Sequence, residues 1–481
     1  MKYKYNYTYR FHEDGAIYAF DFAHLLLAQL DEMFNACFDY LEDKTSYNEL
    51  QRYGTEEEIQ ETLEAIDDLA KQGYYLTNQE QRYEYQSEFE TGLISLPPIH
   101  RCNLRCAYCF AEQGDVFIGE QREFTREQVE KALRYIYYNY MPNCKKYRID
   151  FVSGGEPLLN FDVIRYVREI SNQLYEETKK PLEMWVCTNG TLLTEEKLKY
   201  LDENHINIGI SIDGDEFHHN QIRKDYKGNG TYQTIVKSIQ KIKESKELSN
   251  HIKDIWGLVV ITSKTESLRD ILLHHESIGF KNIQMKIVRL KKDSEYAITK
   301  ENVNRVKAMY DELFELFNED VKQQSIQHVK LILNDNDFAG KIVRRLLLRY
   351  VVLNRCQAGR SKVSVAANGD LYPCDSFVGQ KEFCLGNIDG EVVTVNQFQT
   401  LTVDTNEHCS NCWAKYMCSG DCYQNSQLVN GSIYQPDEVI CELEQHVIKK
   451  ALLYVEHLME EAPRQHKRIV ELLEKREQLR K

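Results

Sequence analysis

Between residues 93 and 288 the chain alternates short runs rich in aliphatic and β-branched residues with amphipathic stretches of helical period. The runs at 93–97, 148–153, 182–187, 206–212, 254–262 and 282–288 predict strands, and a Thr125/Gln128 capping box opens one of the helices between them. Six consecutive βα units predict an α/β fold, a partial (β/α)6 barrel spanning 91–320. In such folds the chemistry sits on the loops that follow the strands. Upstream, "YNYTYRFHEDGAIYAFD" alternates around an Asp14-Gly15 hairpin turn, and "AHLLLAQLDEMFNACFDYL" carries helical period. A further helix opens at Thr55 with Glu58 three residues on and stops near Gly73, and "YYLTNQEQRYEY" reads as a two-stranded wing. Residues 1–90 are therefore expected to form a winged helix of two strands, three helices and a final hairpin. Residues 321–355 read as a helical linker and 356–441 as turns and short strands around an Asn368-Gly369 hairpin; a single helix is expected from 442 to 481.

Charge changes the reading of the N-terminal unit. A winged helix raises the idea of duplex DNA, but residues 1–90 hold 20 acidic and 7 basic side chains within a chain of net charge −15. Duplex binding is driven by neutralising phosphates, so this balance argues against nucleic acid. It fits a unit that takes a peptide as an added strand, with a purely structural cap as the second reading. No apolar run has the length of a membrane span, and "MKYKYNYTYRF" lacks the apolar stretch of a signal peptide, so a cytoplasmic protein without membrane contact is expected. Fourteen cysteines in a reducing compartment point to metal ligands before disulfides.

The first cysteine group is "RCNLRCAYCFAEQG", with Cys102, Cys106 and Cys109 in a Cys-x3-Cys-x2-Cys spacing. Zinc would need a fourth ligand, and structural zinc sites come as separated pairs. Iron–sulfur ligation is the other reading, and three thiolates on a four-iron cluster leave one iron open. Cys-x3-Cys-x-aromatic-Cys resembles the signature of radical S-adenosylmethionine enzymes, in which the cosubstrate's amino and carboxylate groups chelate that iron. The resemblance implies roles for residues at four more places. Gly154, Gly155 and Glu156 of "VSGGEPLL" match the motif that binds the methionine ammonium. Thr188 and Asn189 of "CTNG", with Ser211 and Asp213 of "SIDG", match the polar set near the ribose. Arg223 of "HHNQIR" matches the arginine that pairs with the carboxylate, and Tyr108 would set its backbone near the adenine. Asn220 stands where the family often has Asp and is given no role.

A second field follows: Cys356-x12-Gly369-x4-Cys374, then Cys409-x2-Cys412-x5-Cys418-x3-Cys422, then Cys441. It resembles the SPASM domain, a twin-cluster extension of peptide-modifying radical enzymes; two zinc sites are the competing reading. The resemblance implies that Cys409, Cys412, Cys418 and Cys441 hold one auxiliary cluster fully. Cys356, Cys374 and Cys422 would hold the other, leaving one iron short of a protein thiolate. Cys384, in "EFCLGNI", is read either as a plain thiol or as that missing ligand. Cys37, Cys144 and Cys187 match no motif and are expected to be buried thiols, and His100 and His218 receive no role.

The layout as a whole resembles maturases of ribosomally made peptides of the SCIFF and freyrasin type, the ranthipeptide and sactipeptide enzymes that form cysteine thioethers. That resemblance implies three 4Fe-4S clusters, S-adenosyl-L-methionine, a precursor peptide with a leader sequence, and a flavodoxin- or ferredoxin-like reductant. One electron passed to the sulfonium would yield methionine and a 5′-deoxyadenosyl radical, which takes hydrogen from an unactivated carbon. Peptide carbon–carbon crosslinking and residue oxidation of the anaerobic sulfatase-maturase type share these motifs. An iron–sulfur transcription regulator would need neither Glu156 nor Arg223. The sequence carries no signal for oligomeric state.

Overall fold

The structure, a computed structural model, describes residues 2–83, 89–112, 122–152, 154–390 and 396–480. Its centre is the parallel sheet expected from the strand pattern. Six strands, β6 (Thr91–Ser95), β7 (Lys146–Phe151), β8 (Leu182–Thr188), β9 (Asn207–Ser211), β10 (Trp256–Ile261) and β11 (Asn282–Ile287), pair in sequence order, each parallel to the next. Alternation of buried and less buried positions along β7, β8 and β10 sets the layers. In β8, Leu182, Met184, Val186 and Thr188 are buried, whereas Glu183, Trp185 and Cys187 face the more open inner side. Helices such as Arg126–Tyr135, opened by the Thr125/Gln128 capping box, and Phe161–Thr178 cover the outer side. This is a partly open barrel whose strand ends all point one way.

The sheet does not stop at six strands. β12 (Lys362–Val365) pairs in parallel with β6, Lys362 opposite Leu93, and continues antiparallel through β13 (Asp370–Tyr372) to β14 (Gly386–Asn387). The β12–β13 link is the expected hairpin, with Gly369 at φ +87. The second cysteine field is thus built directly onto the first strand of the barrel.

Three expectations are corrected. The N-terminal unit holds a three-stranded antiparallel sheet, β2 (Thr8–Glu13), β3 (Ala16–Asp21) and β4 (Leu26–Leu30), not two strands. Residues 26–30 were expected to be helical. Leu25 adopts a left-handed φ of +57, which interrupts any helix, and the helix Glu32–Leu41 starts only where the Asp31 side chain accepts from the Phe34 amide. The expected wing is not formed by 74–83 alone: β5 (Leu76–Thr77) pairs with β1 (Tyr5–Asn6), and the wing's remaining residues 84–85 lie outside the described ones. The C-terminal helix is two helices, Glu438–Glu461 and Pro463–Arg480, because the proline cannot continue the first and starts the second. The Asp14-Gly15 turn and the Thr55/Glu58 capping box stand as read.

The N-terminal sheet docks against the second cysteine field. Phe11 and Phe20 join the main core, Tyr9 stacks on Trp413 at 3.9 Å between ring centroids, and Phe20 meets the same indole edge-on. Lys450 of the long helix pairs with Glu13 at 2.6 Å. Among the described residues no helix is long and apolar enough to cross a membrane.

Candidate active site at the strand ends

The first cysteine motif and the residues matched to the cosubstrate lie at or beyond the C-terminal ends of β6, β7, β8 and β9, with Arg223 at the end of the helix Glu216–Ile222 that follows β9. The loop after β7 lies hard against the cysteine loop. A Cβ on Gly155 would stand 2.2 Å from the Ile99 carbonyl oxygen and 2.4 Å from that of Arg101, so only glycine fits. Gly154 sits at φ +112 directly over the buried ring of His100. Glu156 follows, 2% exposed, and accepts from the Thr188 hydroxyl (2.6 Å), the Asn189 amide (2.8 Å) and the Leu158 amide (3.1 Å). Three donors outline a fixed carboxylate, although burial still raises its pKa. Asn189 in turn donates to Asn103 Oδ1 at 2.9 Å and approaches Cys102 Sγ at 3.9 Å, so the cysteine loop and β8 are tied together.

A second network fixes Arg223. Its guanidinium donates to the Tyr108 hydroxyl at 2.5 Å, Tyr108 donates to Asp213, and Arg223 and Asp213 approach to 3.7 Å. Burial raises Asp213, while burial's downward pull on Arg223 is outweighed by Cys106, Tyr108 and Asp213. The Asp213 amide donates to His219 Nδ1 (3.2 Å), His219 Nε2 meets the Thr231 hydroxyl (3.0 Å), and that hydroxyl donates to the Arg223 carbonyl (3.1 Å). Burial, with help from Arg223, lowers the His219 pKa to about 3, so its ring is neutral and can accept that amide. Arg223 Nε is buried without a hydrogen-bond partner among the described residues. That leaves a cationic donor available to an anionic ligand. The structure thus gives Tyr108 a side-chain task beside the backbone one expected. Ser211 is half-buried at the end of β9 and joins neither network.

The thiols fall into three sets that repel one another's charged forms. Burial pushes Cys102 up to about 11 and raises Cys106, and the neighbouring thiols of the loop add to both. Burial and then Asp375 take Cys374 up to about 12, with Cys356 and Cys422 adding to it; Cys356 is raised by burial and Cys422. Cys409 reaches about 11 through burial and Cys412, Cys418 is raised by burial with Cys412 contributing, and Cys441 by burial, Cys418 and Cys409. The family resemblance implies the same grouping of three, three and four. Thiols whose charged forms are costly alone are suited to a cationic metal core, which binds them as thiolates. Among the described residues no cysteine is joined in a disulfide.

Cys384 donates to the Gly386 carbonyl at 3.4 Å and, like Cys356, packs against the small core that contains Cys374. Cys37 and Cys144 are buried as expected; Cys187 is not, because its place in β8 turns it to the inner face of the barrel. His218 is a surface group paired with Asp215 and Glu266.

Sequence reasoning missed Asn103, Thr191, His219 and Arg289. Asn103 donates to the Thr191 hydroxyl at 2.9 Å, and its position inside the cysteine motif was its one available signal. Arg289, just past β11, donates to Ser376 (3.0 Å) and Cys422 Sγ (3.4 Å) and lies 5.4 Å from the ring centre of Phe110. It spans from the first cysteine loop to the second field, and nothing local in the sequence marks it.

Residues 96–256 match the Radical SAM superfamily, and residues 356–413 match SPASM, an iron–sulfur cluster-binding domain. The chain is 25% identical over 354 residues to a cysteine-type anaerobic sulfatase-maturating enzyme of Clostridium perfringens strain 13, covering 69% of this chain and 88% of the relative. It is 20% identical over 477 residues to the radical SAM cyclopropyl synthase TigE of Paramaledivibacter caminithermalis, covering 92% and 93%. The solved structure of native anSMEcpe with bound AdoMet superposes with a TM-score of 0.62 at 20% identity, covering 79% of this chain and all of that one. A second solved state, with AdoMet and the Cp18Cys peptide, gives 0.59 at 20% identity, covering 79% and 99%.

Proposed function

We propose that this chain, which carries a radical SAM fold and a C-terminal SPASM domain, is a peptide maturase that forms cysteine thioether crosslinks in a ribosomally made precursor. The observation that supports the reading is the pair of buried networks around the first cysteine loop, Glu156 with Thr188 and Asn189 and Arg223 with Tyr108 and Asp213. Cys102, Cys106 and Cys109 would hold the first 4Fe-4S cluster; Cys409, Cys412, Cys418 and Cys441 a second; and Cys356, Cys374 and Cys422 a third, about twelve irons in all. Bound together, the first cluster and S-adenosylmethionine supply a carbon-centred radical able to take hydrogen from an unactivated carbon.

The protein's own residues orient and shield. Glu156, held by Thr188 and Asn189, offers its carboxylate to the cosubstrate ammonium across the bare backbone of Gly154 and Gly155. Arg223, held by Tyr108 and Asp213, would take the carboxylate, and Ser211 would serve the ribose. Crosslinking would remove two hydrogens, one as an atom to the radical and one as a proton from the cysteine thiol, with the remaining electron left for an auxiliary cluster held by the second cysteine field. Residues 1–90 are assigned to leader recognition, 91–320 to the radical domain, 321–355 to a linker, 356–441 to the auxiliary domain and 442–481 to the closing helices.

Residue oxidation of the sulfatase-maturase type is the second reading, favoured by the Clostridium perfringens relative. The N-terminal unit favours the first. A match to 92% of the chain leaves out fewer residues than the first 90, so the TigE likeness takes in part of that unit, which both domain matches leave out. Mass spectrometry of a co-expressed precursor separates the readings. Loss of two hydrogens per crosslink, with matching loss of alkylatable thiols, supports thioether formation. Oxidation of one residue without a crosslink supports the other.

A further inference from the structure

The helix Gly340–Leu348 carries Lys341 and Arg345 into the interior, each 7% exposed or less, where it packs against the long helix Glu438–Glu461. Arg355 joins them, donating to both oxygens of Glu444 (2.7 and 2.9 Å) and to the Cys418 carbonyl (3.1 Å). Lys341 reaches the same carboxylate at 2.6 Å, and Arg345 donates to the Met417 carbonyl and the Ser419 hydroxyl. Glu444 is 1% exposed and lies one helical turn beyond Cys441. Asp421, the other carboxylate acting on these thiols, is already occupied by Asn425, Ser426 and the amides of Cys422 and Asp437.

Buried Lys341 and half-buried Arg355 thus share one carboxylate, Glu444, beside the backbone of Cys418, and buried Arg345 stands next to them on backbone and hydroxyl acceptors. An uncompensated buried cation is costly, and burial with the neighbouring Arg355 pulls Lys341 down to about 8. The excess positive charge needs an anion, and the adjacent thiol set supplies one once it is metallated. Four thiolates around a 4Fe-4S core of charge 2+ sum to 2−, and one-electron reduction takes this to 3−. A zinc ion on the same thiolates would also sum to 2− but would have no reduced state to stabilise.

We propose that Lys341, Arg345 and Arg355, opposed by Glu444, set the reduction potential of the cluster held by Cys409, Cys412, Cys418 and Cys441, favouring its reduced form. They are positioning residues: they touch neither substrate nor the reacting atoms. The inference rests on the cluster reading above, and its electron balance is simple. The electron given up by the substrate radical as the thioether closes is the one that takes the cluster from 2− to 3−. Cluster potentials respond to net charge, hydrogen bonding and solvent access, and here charge is the term the chain has arranged.

The test uses full-length protein with Cys102, Cys106 and Cys109 replaced by Ala, reconstituted anaerobically and followed by EPR during redox titration. A further Cys409→Ala change identifies which signal belongs to this set. Lys341→Met should move that potential more negative, Lys341→Arg should leave it in place, and Glu444→Gln should move it more positive, all with iron content unchanged. A purely structural role would move both charge-changing variants the same way or release iron. If Glu444→Gln does not retain iron, Lys341→Met against Lys341→Arg still decides. Retained iron with no difference between those two overturns the inference. Absence of auxiliary iron in the parent variant overturns the cluster reading itself.

Discussion

Tyr108→Phe removes one oxygen from the centre of the Arg223 network and leaves the ring to fill its pocket. The hydroxyl accepts from Arg223 at 2.5 Å and donates to Asp213, so the guanidinium loses its nearest anchor but keeps Asp213 at 3.7 Å. A hydrogen bond to a charged partner contributes about 1.5–3 kcal/mol. At about 1.4 kcal/mol per tenfold, loss of that anchor should weaken cosubstrate binding by roughly ten- to one-hundred-fold. The cysteines and Glu156 are untouched, so iron content should hold and kcat for peptide-free cleavage should change far less than KM. Steady-state release of 5′-deoxyadenosine across a range of S-adenosylmethionine concentrations measures both. Asp213→Asn should be strongly non-additive with it, because both act through one guanidinium. An unchanged KM in Tyr108→Phe, with iron intact, would show that Arg223 does not hold the cosubstrate.

Gly155→Ala should abolish cosubstrate cleavage while auxiliary iron is retained, because its Cβ meets two carbonyl oxygens that cannot yield without parting the two loops; iron analysis beside a cleavage assay checks it. Deletion of residues 1–90 should leave peptide-free cleavage largely intact and abolish peptide modification, since every cosubstrate and cluster candidate lies beyond the cut; modification equal to the full chain's would remove the leader-binding assignment. Trp413→Ala should act in the same direction more weakly, since the Tyr9 stack is worth about 0.5–1.5 kcal/mol beyond area burial, and product ratios by mass spectrometry report it. Acid should destabilise the chain through His219. Its pKa is about 3 folded against about 6.5 unfolded, so the unfolded state takes up more protons between those values. Stability should therefore fall as pH drops from 6.5 toward 3, and His219→Asn should flatten that slope in chemical unfolding.

The barrel strands were legible because each carries a run of apolar residues bounded by turns, and the chemistry was legible because it concentrates in four short motifs at their ends. Legibility failed where the deciding contact is distant. Leu26–Leu30 looks helical in isolation and becomes a strand because β3 offers it a partner and Leu25 breaks the turn before it. Leu76–Thr77 pairs with Tyr5–Asn6 from the other end of the unit, which no local hairpin rule anticipates. His219 and Arg289 matter through what they bridge, and bridging is a property of the assembled fold. Tyr108 shows the middle case: its place in the motif marked it, but not the task of its hydroxyl.

The parallel pairing of β12 with β6 has a mechanical consequence. Leu93 donates to Ser361 and the Ser364 hydroxyl to the Ser95 carbonyl, so the strand that leads into the first cysteine loop is stitched to the one that leads toward Cys374, and the Gln128 side chain ties the helix Arg126–Tyr135 to Ala367. The stretch from the first thiol set to the next is therefore gauged by adjacent strands about 4.8 Å apart, a stiff ruler rather than a hinge between two bodies. In the proposed reaction an electron crossing that gap would meet the same span in every turnover. Room for peptides of different shape has to come from the surrounding loops and the N-terminal unit. A chain cut within 321–355 should stay joined, held across the sheet by its own backbone.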